Sequence, residues 1–93
     1  MIRSFKDKRT AALYAGMEIK KFDKRVQQKA FSKLQVLDSA MHLTDLLVPP
    51  GNRLEALSGR RRGQHSIRVH DQWRLCFVWR NGGADDVELV DYH

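Results

Sequence analysis

The sequence predicts an α+β domain in which N-terminal helices cover one face of a small antiparallel sheet. In the first half of the chain, apolar residues recur at three- and four-residue steps, which is the period of a helix. The segment Pro49-Pro50-Gly51-Asn52 then interrupts regular structure. Beyond it, apolar and polar residues alternate, as they do in a strand with two different faces. With 93 residues, the chain has room for a single domain, and we expect that domain to span residues 1–93.

Two helices are predicted before the break, after a short strand-like start around Ile2 and Ser4. The first helix lies between Lys6 and Met17 and ends near Gly16, because glycine readily terminates a helix. The second begins after Asp23, a good N-cap residue. Its apolar stripe consists of Val26, Ala30, Leu34, Leu37 and Met41.

The outer face of the second helix is basic. Its basic residues are Lys24, Arg25, Lys29 and Lys33. This pattern fits a solvated helix surface and a nucleic-acid contact equally well. A further helical turn is predicted from Leu43 to Leu47.

Four extended segments follow. Leu54–Leu57 is a short candidate, and the glycine-flanked basic loop Ser58–Gly63 comes after it. Residues 65–70 and 73–80 predict a hairpin around His70-Asp71-Gln72. Asn81-Gly82-Gly83 is a strong turn signal before a last strand from Asp86 to Val90.

Alternation along residues 73–80 predicts which side of the sheet is open. Trp73, Leu75, Phe77 and Trp79 share one face and are expected to form the core against the helices, whereas Arg74, Cys76, Val78 and Arg80 share the other. The second face is a candidate surface for a phosphate backbone. Cys76 itself is expected to be a small core residue and not a reactive thiol.

Charge is the informative part of the composition. Seventeen Lys and Arg against eleven Asp and Glu give a formal net charge of +6. Such a balance favours polyanionic partners, namely RNA, DNA or an acidic protein. The positive charge is unevenly distributed along the chain. Residues 1–80 carry a net charge of +10, and residues 81–93 carry a net charge of −4.

Several classes of protein are excluded by what the sequence lacks. One cysteine cannot form an internal disulfide, so a stapled secreted scaffold is excluded. No apolar run approaches the ~20 residues that span a bilayer, and no signal peptide is recognisable, so we expect a cytoplasmic protein with no membrane contact. The histidines lack zinc-ligand spacing and no glycine-rich phosphate loop is present. We therefore expect no metal and no cofactor.

The C-terminal tripeptide Asp91-Tyr92-His93 brings a carboxylate, a phenol and an imidazole together in sequence. An inert polar tail is the alternative interpretation. Beside Arg74, however, these groups would suit cleavage of RNA without a metal. RNA supplies its own nucleophile, the 2′-hydroxyl, so the protein needs a base, an acid and a cation for the transition state. The ordinary pKa of His93 lies nearest neutrality, which suits acid–base work.

The sequence resembles the HigB toxins of bacterial toxin–antitoxin modules, within the RelE-like superfamily of mRNA interferases. The resemblance covers nearly the whole chain, and the order and spacing of the matching pieces make it specific. Those pieces are Met1–Phe5, Leu54–Gly59, Gly63–Val69, Asp71–Phe77 and Val87–His93.

That resemblance implies a RelE-like microbial RNase fold with helices packed on a curved antiparallel sheet. It implies a toxin that cleaves mRNA in the ribosomal A site, which would inhibit translation and arrest growth. The implied partners are the ribosome with its rRNA, mRNA and a cognate HigA-type helix-turn-helix antitoxin. Operator DNA would be contacted only through that antitoxin.

The resemblance also assigns catalytic roles. Arg74 matches the family's phosphate-stabilising arginine, while Asp91, Tyr92 and His93 match its C-terminal catalytic and positioning residues, with Tyr92 stacking on a base. Glu55 stands where some relatives have a catalytic histidine. A carboxylate can serve as the general base in RelE-like toxins, so either Glu55 or His93 could take that role.

RNA or ribosome contacts are expected from basic residues outside this catalytic group. Ser58 stands where a lysine is often found, and an arginine of the following loop could replace that phosphate contact. The expected contacts are Lys24, Arg25, Arg60, Arg61, Arg62 and Arg68.

The departures at Glu55 and Ser58 keep an alternative function open. In that alternative the chain is a non-catalytic RNA- or DNA-binding module, or an inactive toxin that acts as an antitoxin co-repressor.

Overall fold

A four-stranded antiparallel sheet with two α-helices forms the framework of the computed structural model, which describes residues 1–92. The strands pair in sequence order, β1-β2-β3-β4. The elements are α1 (Lys8–Tyr14), α2 (Lys24–Ser39), β1 (Glu55–Ala56), β2 (His65–His70), β3 (Trp73–Arg80) and β4 (Gly83–Asp91), with 3-10 turns at Leu43–Leu47, Pro50–Asn52 and Gly59–Arg61. The predicted α+β class is therefore confirmed.

Both helices begin at aspartate caps. The Asp7 carboxylate accepts a hydrogen bond from the Thr10 N–H at 2.8 Å, and that of Asp23 accepts from Arg25 and Val26. These side chains satisfy amide groups that a helix leaves without intrahelical partners. The predicted start of the second helix is thus confirmed.

Four of the five residues predicted for the apolar stripe of α2 are buried, but the fifth, Met41, is 73% exposed. Placing Met41 in the core was wrong because the helix ends at Ser39. Ala40 adopts extended backbone angles, so the helical period stops before Met41.

The last strand is longer than predicted. It runs from Gly83 to Asp91 instead of Asp86 to Val90, because its first three residues already pair with Val78–Arg80 of β3 across a tight turn. The N-terminal segment lies beside the other edge of β4. Ile2 and Phe5 bridge in parallel to Ala84 and Val87, so the edge of β4 has a partner along this stretch. In contrast, β1 contains two residues only and leaves much of β2 as an edge.

The core lies between the helices and one face of the sheet. Leu34 and Leu37 of α2 pack with Leu75 and Phe77 of β3, and all four are inaccessible to solvent. Trp73 and Trp79 pack against this cluster, so the alternation predicted for β3 is confirmed. In the part of the chain that the structure describes, no helix is long and apolar enough to cross a membrane.

Candidate active site

The face of the sheet opposite the helices carries a row of polar and sulfur-containing residues, one from each strand. Glu55 is in register with Ser66, Ser66 with Cys76, and Cys76 with Glu88. Directly opposed residues of antiparallel strands point to the same side. We call this row, together with Arg74 of β3, the open face.

Arg74 is held rigidly on the open face. Its Nε donates to Ser66 Oγ at 2.7 Å, and its Nη2 donates to the carbonyl oxygens of Ser66 and Arg53. The Nη2 atom also lies 4.0 Å from the Glu55 carboxylate. The Arg74 side chain is only 11% exposed. Its Nη1 has no partner among residues 1–92, which leaves two N–H donors available for an anion.

The segment preceding β1 is shaped so that it can contact Arg74. Arg53 adopts a left-handed backbone conformation with φ 47°, which ends the 3-10 turn before it. The buried Asn52 amide donates to the carbonyl oxygens of Leu46 and Val48, and its oxygen accepts from Lys33. These hydrogen bonds fix the loop that contains Arg53, whose carbonyl oxygen accepts a hydrogen bond from Arg74. The strand that begins at Glu55 follows this loop directly.

Tyr92 reaches the open face from the end of β4. Its backbone N–H donates to the Gln72 carbonyl at 2.8 Å, and its hydroxyl lies 3.7 Å from Cys76 Sγ, which donates to it. Burial and the contact with Cys76 raise the pKa of Tyr92 above its usual value of 10.0. The phenol therefore stays protonated at neutral pH, and its side chain remains accessible to a ligand.

Cys76 is fully buried, as predicted, but it lies outside the hydrophobic core. It lies on the open face in contact with Tyr92. Burial raises the pKa of the Cys76 thiol, so the neutral form is favoured and nucleophilic reactivity is low.

The three arginines of the basic loop are not equivalent. Arg60 and Arg62 are exposed, whereas Arg61 is partly buried. The Nη1 of Arg61 donates to Gln64 Oε1 and to Glu88 Oε1, at 3.1 Å each. Burial is the largest single influence and would lower the pKa of Arg61, but the bond to Glu88 together with the electrostatic influence of Cys76, Glu88 and Tyr92 raises it above its usual value. Arg61 therefore stays charged on the open face.

The structure separates the other predicted site residues. Asp91 is in register with Trp73, which places it on the helix-covered side of the strand and not beside Arg74. Arg68 is in register with Arg74 and so shares its face.

Lys24 and Arg25 belong to α2, on the opposite side of the sheet, and Lys24 lies 3.9 Å from Glu18. His93 lies outside the described residues.

Sequence reasoning missed Ser66, Gln64 and Glu88 as parts of this site. Each is a common polar residue, and alternation shows only that Ser66 and Glu88 point away from a core. Their partners depend on the register of the strands. Within the described chain, no three His, Cys, Asp or Glu residues group closely enough to hold a metal ion.

Comparison with known proteins places the chain near one family. A family model described as the RelE-like toxin of type II toxin–antitoxin system HigB matches residues 3–93. Toxin HigB-1 of Vibrio cholerae serotype O1 is 41% identical over 91 residues, which cover 90% of this chain and 90% of that protein. Endoribonuclease HigB of Proteus vulgaris is 32% identical over 97 residues, with full coverage of both chains.

Solved structures show the same fold at lower sequence identity. A chain of the YoeB–YefM complex from Staphylococcus aureus superposes with a TM-score of 0.62 at 16% identity, covering 100% of this chain and 98% of that one. A heterotetrameric YoeB–YefM toxin–antitoxin complex from the same organism gives the same TM-score at 17% identity. At this level of identity the similarity establishes the fold.

Proposed function

The chain belongs to the RelE-like HigB toxin family of type II toxin–antitoxin systems, and we propose that it is an endoribonuclease that cleaves mRNA in the ribosomal A site. In this proposal the cleavage blocks translation and arrests growth, and it takes place in the cytoplasm, where translating ribosomes are found. Similarity over the full length to Endoribonuclease HigB supports the activity.

The proposal rests chiefly on the hydrogen bonding of the Arg74 guanidinium group. Its Nε and Nη2 are engaged by the protein, and Nη2 lies 4.0 Å from the Glu55 carboxylate, while Nη1 has no partner among residues 1–92. The guanidinium is also close enough to act electrostatically on the Tyr92 hydroxyl. A preorganised cation of this kind stabilises the charge that develops on a phosphate in the transition state. Because the guanidinium is already oriented, little reorganisation is needed when RNA binds.

The proposed reaction uses the RNA's own 2′-hydroxyl as nucleophile and needs no metal. Glu55 takes the proton from this hydroxyl, whose oxygen then bonds to phosphorus. Arg74 stabilises the pentavalent intermediate. The bond from phosphorus to the 5′ oxygen breaks, and that oxygen receives a proton from protonated His93. The products are a 2′,3′-cyclic phosphate and a free 5′-hydroxyl.

The remaining site residues support binding in this proposal. Tyr92 stacks on a base, and Asp91 helps to place the segment that carries Tyr92 and His93. Ribosomal and messenger RNA are contacted by basic side chains, since each phosphate they neutralise adds a salt-sensitive increment to affinity. Those basic residues are Lys24, Arg25, Arg60, Arg61, Arg62 and Arg68.

The regulatory partner we propose is a HigA-type helix-turn-helix antitoxin, and operator DNA is contacted through that protein. Toxin–antitoxin complexes among the structural neighbours support an antitoxin partner.

The test is to induce the chain alone in growing bacteria and to map mRNA 5′ ends. We expect growth arrest with new 5′ ends phased to codons in translated regions, carrying 5′-hydroxyl groups. A folded Arg74→Ala protein should produce neither. Binding to RNA or ribosomes without new ends would instead identify a non-catalytic module. Cleavage by Arg74→Ala at the wild-type rate would overturn the site assignment.

A further inference from the structure

Arg61 differs from its two arginine neighbours in how it is held. The side chains of Arg60 and Arg62 make no hydrogen bond or ion pair with any residue that the structure describes. Arg61, by contrast, is fixed by Gln64 from its own loop and by Glu88 from β4. The loop lies between β1 and β2, so the Arg61 side chain extends across the sheet to reach the far strand.

The contact with Glu88 brings Arg61 to the same centre as Arg74. Glu88 is directly opposite Cys76, and Cys76 contacts Tyr92. Burial is the largest influence on the pKa of Cys76 and of Tyr92, but both arginines also act electrostatically on both groups. Two guanidinium groups therefore lie close to the Cys76–Tyr92 contact.

The N–H groups left open on the two arginines are complementary. The two hydrogens of Arg61 Nη1 are accepted by Gln64 and Glu88, which leaves Nε and Nη2 without partners among residues 1–92. The Nε and Nη2 groups form the edge with which arginine binds a phosphate through two parallel hydrogen bonds. On Arg74 that same edge is occupied, and Nη1 has no partner in the part of the chain that the structure describes.

We propose that Arg61 binds a second phosphate of the RNA, adjacent to the scissile phosphate held by Arg74, and that Glu88 is the positioning residue that orients it. The inference rests on the proposed function, because it requires an RNA strand along the open face. Glu88 does not touch the RNA. It holds Nη1 so that the Nε–Nη2 edge is presented, which reduces the entropy lost on binding.

This role for Glu88 predicts the opposite sign from simple electrostatics. A carboxylate beside a polyanion repels it, so removing the carboxylate should tighten RNA binding if charge alone matters. If Glu88 orients Arg61, removing it should weaken binding even though a negative charge is lost. The sign of the change in affinity therefore separates the two roles.

The experiment measures binding of the purified full-length chain to a single-stranded RNA oligonucleotide with a 2′-O-methyl group on every ribose, by fluorescence anisotropy. The methyl groups block the nucleophile, so binding is measured without cleavage. We expect Glu88→Ala to raise Kd about fivefold or more, and Glu88→Gln, which keeps an oxygen acceptor for Arg61, to stay within about twofold of wild type.

Variants of Arg61 test the phosphate contact itself. Arg61→Met should raise Kd about tenfold and reduce the slope of log Kd against log salt by about 0.7, the value for one phosphate contact on a single strand. Arg61→Lys keeps the positive charge but loses the paired N–H donors of the guanidinium group. The slope of log Kd against log salt should therefore be retained, while the affinity falls. Lys20→Met removes one charge from the exposed loop between the helices and should leave Kd unchanged.

A double mutant gives the strictest test. In the Arg61→Met background, Glu88→Ala should tighten binding, because only the repulsion remains to be removed. Tighter binding by Glu88→Ala in the wild-type background would overturn the inference, as would equal losses in both backgrounds. Thermal unfolding of each variant checks the fold, with Glu88→Gln and Arg61→Lys available should the larger changes unfold the chain.

Failure of the proposed function would look different from failure of this inference. If the wild-type chain produces no mRNA cleavage in cells, the proposed function is wrong whatever the oligonucleotide shows. If the wild type cleaves but Glu88→Ala binds more tightly, the function stands and the role given to Glu88 is wrong.

Discussion

The Sγ atom of Cys76 lies 3.7 Å from the hydroxyl oxygen of Tyr92, so a buried thiol in the middle of β3 supports the aromatic residue at the end of β4. The contact holds the Tyr92 ring over the open face, while its backbone is tied to the β2–β3 turn through Gln72. Together these two anchors place an aromatic surface on the open face, where Arg74 acts electrostatically on the Tyr92 hydroxyl.

Tyr92 is expected to act through its ring more than through its hydroxyl. Tyr92→Phe keeps the stacking surface and should lower the cleavage rate on translated mRNA less than about tenfold. Tyr92→Ala removes a stacking contact of about 1–3 kcal/mol per base and should lower it about 10- to 100-fold. Equal losses in the two variants, measured by primer extension on the same mRNA, would assign the essential role to the hydroxyl.

Cleavage is expected to require the guanidinium geometry of Arg74 as well as its positive charge. Arg74→Ala should reduce cleavage by about 10²- to 10³-fold, as the loss of a preorganised transition-state donor does. Arg74→Lys keeps the charge, but its three donors are on a single nitrogen, which cannot span Ser66 and Arg53 and also present a donor at the position of Nη1. It should therefore recover little of the activity. Circular dichroism and thermal unfolding provide the check on folding. Full activity of the lysine variant would show that a positive charge suffices.

Glu55 and His93 can be distinguished by a pH–rate profile. If Glu55 is the base, Glu55→Gln should lower the rate by about 10²- to 10⁴-fold and abolish the acidic limb of the profile. Glu18→Gln is the control, because Glu18 is likewise an exposed glutamate at a similar distance from a basic side chain, 3.9 Å from Lys24. An acidic limb that persists in Glu55→Gln and disappears in His93→Gln would move the base to His93.

Asp38 is expected to stabilise the fold in a pH-dependent way. Hydrogen bonds from the Ile2 N–H and the Tyr14 hydroxyl, both 2.8 Å, hold the pKa of Asp38 below its ordinary 3.8. A lowered pKa means that the ionised form stabilises the folded state. This contribution is present above pH 3.8 and is lost as the pH falls through the lower folded-state pKa.

Asp38→Asn should therefore cost about 1 kcal/mol at pH 7, which corresponds to a Tm lower by about 4–8 °C in a chain of this size. The difference from wild type should shrink as the pH is taken below 3.8. Asp86→Asn, at an exposed position of β4, serves as the control. A Tm difference that stays constant between pH 7 and pH 3 would contradict the assignment to the Asp38 charge.

Much of the fold could be predicted from local pattern. The Asp23 cap, the buried stripe of α2 and the two hairpins depend on residues close in sequence, whose spacing sets which face is apolar. The prediction failed at Met41, where the backbone leaves the helix, and at the start of β4, where the strand pairs with β3 from Gly83 onward. Periodicity does not show the residue at which a helix ends or the residue at which strand pairing begins.

The sequence by itself determined that this is a basic α+β domain with an apolar and a polar face on β3, and its resemblance singled out Arg74, Glu55 and Tyr92. Tertiary structure alone decided that Ser66 and Arg53 orient Arg74, and that Asp91 lies on the other side of its strand. It also decided that Glu88 and not solvent holds Arg61. The physical reason is that these partners are set by strand register and by loop closure, which join positions far apart in the chain, whereas periodicity reports only the side to which a residue points.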